Sequence, residues 1–282
     1  MSLTPGHDLG LLQGPLLIFG GAYGNLPATR ALQSVAERRG IPPQNIICTG
    51  DMVAYCAEPE ETVQLIRRWG IRALMGNCEQ SLAMRAVDCG CGFEEGSACS
   101  ALSVEWFRYA DSRMSAESRS WMAQLPQTLY FAMAGRRFAV VHGGASQLNR
   151  FFFASTPTAL KQAELALLGN EVDGLIAGHC GIPFGQQIAG KTWLNAGVIG
   201  MPANDGTRDG WYMLLEQEGE ALQASWKRLS YPAEQARDAM LKVGLTGYAE
   251  ALTSGLWPSE DILPETEKMA RGVALSVAPL VF

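Results

Sequence analysis

The chain has 282 residues, 48% of them hydrophobic and 18% charged, enough apolar material for a large core beneath a charged surface. A net charge of −6 without any run of Lys and Arg argues against a nucleic-acid-binding face, which must neutralise phosphates with clustered cations. No apolar stretch is long enough to cross a bilayer and no secretion signal opens the chain, so a cytoplasmic protein is expected.

In chain order, residues 16–19 (Leu-Leu-Ile-Phe) read as a buried strand ending in Gly20-Gly21. Residues 26–39 carry Ala28, Leu32, Val35 and Ala36 at helical spacing, and Gly40 with Pro42 stops that helix. A second strand over 46–48 runs into Gly50-Asp51. A second helix over 59–69 starts with Pro59 in its first turn. A third strand over 71–75 ends at Gly76-Asn77. This alternation predicts right-handed βαβ units and a parallel sheet.

Residues 81–130 read as mostly helical, interrupted by the Gly- and Cys-rich stretch 88–99. Strands are expected again over 138–141, 174–177, 192–194 and 211–215, with 224–229 as an edge strand. Helices follow over 233–242 and 247–252, and the tail 270–282 carries no assignable role. The expected organisation is one domain over 1–230 with a C-terminal helical extension, 231–282, packed on it.

Five strand ends finish in residues able to bind a metal or an anion: Gly20-Gly21-Ala22-Tyr23-Gly24-Asn25, Gly50-Asp51, Gly76-Asn77-Cys78-Glu79, His142-Gly143 and Gly178-His179-Cys180-Gly181. Ligands of open α/β sheets collect beyond the carboxyl ends of strands, so their common position is the signal. Each alone is weak, since Gly-Asp is most often a turn. The order resembles that of the calcineurin-like metallophosphoesterases, nearest the bacterial branch of small phosphodiesterases and phosphatases. That family runs Asp-x-His-Gly-Asn, Gly-Asp, Gly-Asn-His-Asp/Glu, His-Gly and Gly-His-x-His. Tyr23-Gly24-Asn25-Leu26-Pro27-Ala28 is similar to its His-Gly-Asn-Leu-x-Ala, and Gly50-Asp51-Met52-Val53-Ala54-Tyr55 to its Gly-Asp-x-Val-Gly-Tyr.

The resemblance implies a four-layer αββα sandwich of two mixed sheets and a metal-dependent phosphoester hydrolase. In the family two divalent ions bridge a hydroxide and clamp the phosphoryl oxygens. One ion's ligands map onto Asp51, Asn77, His142 and His179, all present. The other ion's map onto Gly21, Tyr23 and Gly181 with the shared Asp51, and the two glycines have no donor. Tyr23 could ligate only as a phenolate. Cys78 stands where the family has the His that stabilises the transition state or protonates the leaving group. The resemblance therefore implies one divalent ion (Mn, Fe, Zn or Ni) rather than two. It also implies reduced activity on a small phosphate-containing substrate, with Asp51, His142 and Cys78 in catalytic positions. The alternative is a non-catalytic metal-, nucleotide- or phosphate-binding protein on the same fold.

Other readings of these residues stay open. Asp51 and Asn77 suit helix caps as well as ligands. Cys78 and Cys180 are either half-buried thiols or thiolate ligands. Cys89, Cys91 and Cys99 do not have a zinc spacing and read as structural thiols, and seven cysteines do not form a disulfide framework. The stretch Gly21, Tyr23, Gly24, Asn25 before a helix suits an anion nest replacing the lost ion's charge. A dinucleotide fingerprint fails there, because Phe19 stands where it needs a glycine. Oligomeric state is open.

Overall fold

The computed structural model describes residues 6–94 and 96–282, and sets an additional strand before the first expected one. In chain order the elements are β1 His7–Leu11, β2 Leu16–Phe19, α1 Leu26–Arg38, β3 Ile46–Cys48, α2 Pro59–Trp69, β4 Arg72–Ala73 and α3 Asn77–Met84. There follow α4 Ala98–Arg113, α5 Ala116–Met122, β5 Thr128–Met133, β6 Arg136–Val141, α6 Thr158–Leu167, β7 Gly174–Ala177, β8 Phe184–Ile188 and β9 Lys191–Asn195. The chain closes with β10 Gly210–Glu218, β11 Ala221–Leu229, α7 Ala233–Lys242, α8 Ala251–Ser254, α9 Glu265–Met269 and β12 Leu280–Val281.

The local causes are those of the sequence. Asn25 caps α1 by accepting from the Ala28 N–H at 3.1 Å. Helix α2 has Pro59 at its first turn, Glu60 and Glu61 toward its positive end, Arg67 and Arg68 toward its negative end, and a left-handed Gly70 to stop it.

Among the described residues the strands form two six-stranded sheets, ordered β1-β5-β6-β7-β9-β8 and β12-β11-β10-β2-β3-β4. Both are mixed: β6, β7 and β9 are parallel, as are β2, β3 and β4, while β5 and β8 in one sheet and β10 and β11 in the other run antiparallel to a neighbour. Alternation along each strand then builds the layers. Leu16 and Ile18 of β2 join Phe131, Phe138, Val140, Ile176, Leu194 and Met213 between the sheets. Leu17 and Phe19 turn the other way, against α1, α2, α4 and α7. Ala139, Val141, Leu175 and Trp193 face α6 and the Phe152–Phe153 loop. This is the expected αββα sandwich.

Several elements escape the sequence reading. β1 carries Gly10 and is largely exposed, and β8 is Phe-Gly-Gln-Gln-Ile with only its end residues Phe184 and Ile188 buried. Pairing with β5 and β9 makes them strands. β5 has a clear alternation of buried positions, but its first half falls within the stretch read as mostly helical. The strand over 71–75 shrinks to Arg72–Ala73, and the helix over 247–252 to Ala251–Ser254. The tail has a role: β12 pairs antiparallel with β11 and takes the sheet edge expected for 224–229. Residues 233–252 of the extension lie in the same apolar cluster as α1. No helix of the described residues is long and apolar enough to cross a membrane.

Candidate metal centre

Four loops, two from each sheet, bring the candidate ligands to one end of the sandwich. Asp51 follows β3, Asn77 opens α3 after β4, His142 follows β6 and His179 follows β7. The approach needs glycine. A Cβ on Gly50 would lie 2.7 Å from the Gly76 nitrogen and 2.9 Å from His142 Nδ1, and one on Gly76 would lie 2.4 Å from Asp51 Oδ1. Asp51 itself sits in the left-handed region (φ 54), uncommon for a residue with a side chain and typical of functional loops.

All four side chains are buried. A carboxylate oxygen of Asp51 and one nitrogen each of His142 and His179 lie within 4.8 Å of one another. His142 Nε2 is 3.2 Å from Asp51 Oδ2 and 3.0 Å from Asn77 Oδ1, while Nδ1 faces the Thr49 carbonyl at 2.7 Å. With the Nδ1 proton donated to Thr49, Nε2 faces two oxygens, and only a proton on it or a cation between them resolves that contact. Asn77 presents its oxygen because its NH2 donates to the Cys89 carbonyl at 3.0 Å. His179 stacks on Phe151, centroids 4.1 Å apart, with Nδ1 3.6 Å from Asp51 Oδ2. Neither ring nitrogen of His179 has a hydrogen-bond partner although both are buried. Buried polar atoms are normally paired, so this is a donor awaiting a partner, and two imidazoles with two oxygens suit a divalent transition metal.

The electrostatics agree. Burial raises the Asp51 pKa, but His142 and His179 outweigh it and hold the carboxyl below its ordinary range. Burial followed by the charge of His142 pushes His179 down and keeps it neutral. For His142, burial is outweighed by Asp51 and the pKa rises.

Glu79 was present in the motif but without a role in the sequence reading. It is fully buried, and its carboxylate accepts the N–H groups of Asp51 (2.7 Å), Met52 (2.8 Å), Val53 (3.3 Å) and Gly76 (2.9 Å). It therefore pins the Asp51 loop. Burial and the charge of Asp51 nevertheless raise it to about 7. Its signal in the sequence is a carboxylate placed two residues after a presumed ligand.

Of the positions that the resemblance assigns to a second ion, Gly21 is crowded. A Cβ on Gly21 would lie 2.4 Å from Tyr23 Cζ and 2.6 Å from Val198 Cγ1. A Cβ on Gly181 would make only ordinary contact with Trp257, at 3.5 Å, although its φ of 78 disfavours a side chain. Burial and Asp51 push the Tyr23 phenol well up, away from a phenolate. The N–H groups of Gly21, Tyr23 and Gly24 donate to the carbonyls of Gly50, Asp51 and Met52, so an anion there would have to displace those bonds. Asn25 is committed to its cap and to Gly200 and Tyr231. Cys78 is buried, with its thiol pushed up by burial and Asp51, and its N–H donates to Asp51 Oδ1 at 3.2 Å. The Cys180 thiol, raised by burial to about 12, donates to the Ile182 carbonyl. Left-handed Gly90 turns the chain and brings the Cys89 and Cys91 Cα atoms to 5.3 Å, so their sulfurs are neighbours.

Comparison with known proteins shows the family and the fold. The calcineurin-like phosphoesterase superfamily domain matches residues 25–220. The metallophosphoesterase from Sphaerobacter thermophilus superposes with a TM-score of 0.67 at 20% identity, covering 87% of this chain and 100% of that one. A hypothetical protein from Pyrococcus horikoshii gives 0.71 at 18% identity, covering 86% and 99%. An uncharacterized protein of Methanocaldococcus jannaschii is 20% identical over 82% of this chain and 94% of its own length.

Proposed function

The chain belongs to the calcineurin-like phosphoesterase superfamily, and from that premise we propose that it hydrolyses a small phosphoester with a single divalent ion held by Asp51, Asn77, His142 and His179. The observation that carries this reading is His179, buried beside Asp51 and His142 with both ring nitrogens unpaired. Bound there, manganese, iron, zinc or nickel would supply a Lewis acid and a water of lowered pKa.

The chain's own residues do the rest. The Thr49 carbonyl holds the Nδ1 proton of His142 and turns Nε2 toward the site. Asp51 supplies the single negative charge between the two imidazoles, Phe151 covers one face of His179, and Glu79 fixes the loop that carries Asp51. A one-ion site is supported by the filled space at Gly21. Reduced activity follows, because the second oxyanion contact is gone and the Cys78 thiol is a weaker acid than an imidazolium.

The same filled space favours a second reading, a non-catalytic protein that binds a metal and a phosphate-bearing ligand. Turnover of bis(4-nitrophenyl) phosphate with manganese separates the two. Slow hydrolysis that disappears in Asp51→Ala supports the enzyme, and none above that variant's level supports the binder.

A further inference from the structure

All four candidate ligands are buried, and the cavity beside them has about 50 Å³ of room. That holds a few water molecules and no phosphoester. Its walls include Tyr23, Tyr55, Phe93, Phe151, Tyr248 and Trp257, and these rings pack on one another. Tyr55 meets Tyr23 edge-on at 4.8 Å and lies 4.3 Å from Tyr248. Rings packed this closely do not make room by rotamer changes alone, so for a substrate to enter, part of the wall must move.

One part of the wall is built to do so. Trp257, Ser259 and Ile262 of the cavity lining belong to residues 256–271, which leave the body of the protein and return to it at one place. The Gly206 N–H donates to the Gly255 carbonyl at 3.2 Å, and the Gly272 N–H donates to the Asn204 carbonyl at 2.9 Å. Gly255 and Gly272, flanking the segment, are both left-handed (φ 76 and 72), a conformation that glycine enters freely. Between them Leu263 is the one fully buried apolar side chain, and helix α9 buries none. The other attachments are polar. Trp257 donates its indole N–H to the Pro202 carbonyl at 2.6 Å and its backbone N–H to Asn204 at 2.8 Å. The Asn204 amide donates to Glu260 at 2.8 Å, and the Ser155 N–H donates to Glu267 at 3.0 Å. The Cys99 N–H donates to Asp261 at 3.3 Å, and its sulfur lies 3.4 Å from the Ser259 hydroxyl. A segment with little buried apolar surface and many partly exposed polar bonds opens at low cost.

Resting on the function proposed above, we infer that residues 256–271 are a lid, shut in this structure, which swings out on Gly255 and Gly272 to admit a phosphoester to the metal centre. Lifting it withdraws Trp257, Ser259 and Ile262 and leaves Tyr23, Tyr55 and Tyr248 in place. A substrate meets only the open fraction of molecules, so its apparent affinity falls by that fraction. The shut lid keeps bulk water from the ligands between encounters.

The test locks the lid. Ser259→Cys puts a second sulfur opposite Cys99, and diamide joins the two, taking one electron and one proton from each thiol. Loaded with manganese and then oxidised, this variant should release the ion to EDTA at least about tenfold more slowly than after reduction with dithiothreitol. The same oxidation of Ser259→Cys with Cys99→Ser should slow nothing. Equal release from the locked and reduced forms overturns the lid. Leu263→Ala needs no crosslink and should hasten release, and an unchanged rate there also counts against the lid. If the protein binds no manganese, the functional reading falls instead. Alkylation of Cys180, on the cavity wall, by iodoacetamide in the metal-free protein then decides the lid. Slower labelling in the locked form upholds it, and equal labelling removes it.

Discussion

The Tyr23 ring stands in the space that a side chain at Gly21 needs. Restoring the family's Asp at Gly21 alone therefore fails. Gly21→Asp in the otherwise unchanged chain should cost about 1–3 kcal/mol through overpacking at a left-handed residue (φ 40) and bind no further ion. Gly21→Asp with Tyr23→His, Cys78→His and Gly181→His should bind a second ion. Metal content per chain and thermal midpoints check both, and two ions at full occupancy in the unchanged protein would contradict the argument.

Ligand removal has opposite consequences with and without metal. His179→Ala removes two unpaired buried nitrogens, so the metal-free protein should lose little stability or gain some. The same variant should lose the stabilisation that manganese gives the parent, about 2.7 kcal/mol at a hundredfold excess over Kd. Asp51→Ala should lose it too, and destabilise the metal-free protein by leaving His142 without its anionic partner. Denaturant midpoints with and without manganese distinguish the cases.

Glu79 acts on the centre through the backbone. In Glu79→Gln an NH2 group must face N–H donors that the carboxylate satisfies, at a cost of about 1–3 kcal/mol. Manganese affinity should fall with it, because the Asp51 loop is no longer pinned. Unchanged affinity by calorimetry would reduce Glu79 to a purely structural residue.

The raised Glu79 pKa also sets a sign. The folded carboxyl holds its proton to about 7 against about 4.5 for a glutamate in water, so between those limits the unfolded chain binds fewer protons and stability falls as pH rises. The raised His142 pKa adds to the loss above 6.5, and the lowered pKa of His179 opposes it below that value. Urea midpoints of the metal-free protein should thus drop between about pH 5 and about pH 8. The drop should be smaller in Glu79→Gln, and a rise over this range in the parent would refute the assignment.

On bis(4-nitrophenyl) phosphate the unchanged protein should turn over slowly, and the fourfold-restored variant at least about tenfold faster, the increment that ~1.4 kcal/mol of transition-state contact gives. Parallel rate measurements with manganese check this. Turnover by the parent at ordinary enzyme rates would mean that the filled half-site costs nothing.

The sequence by itself determined the elements whose pattern is local. The buried run Leu16–Phe19, the helix that follows Asn25 and the strand ends carrying Asp51, Asn77, His142 and His179 were all readable, because periodicity and glycine stops act within a few residues. The loss of donors at Gly21 and Gly181 was readable for the same reason. Only the tertiary structure decided what replaced them, since the Tyr23 ring, Val198 and Trp257 meet there from distant parts of the chain. Strands β1 and β8, short and each interrupted by a glycine, likewise exist only through their partners. So does the aromatic cavity, whose rings come from residues 23 to 257 and converge because two sheets fold face to face. Side-chain type is a property of one position, whereas an unpaired buried nitrogen or a filled space is a property of neighbours, and neighbours are settled by packing.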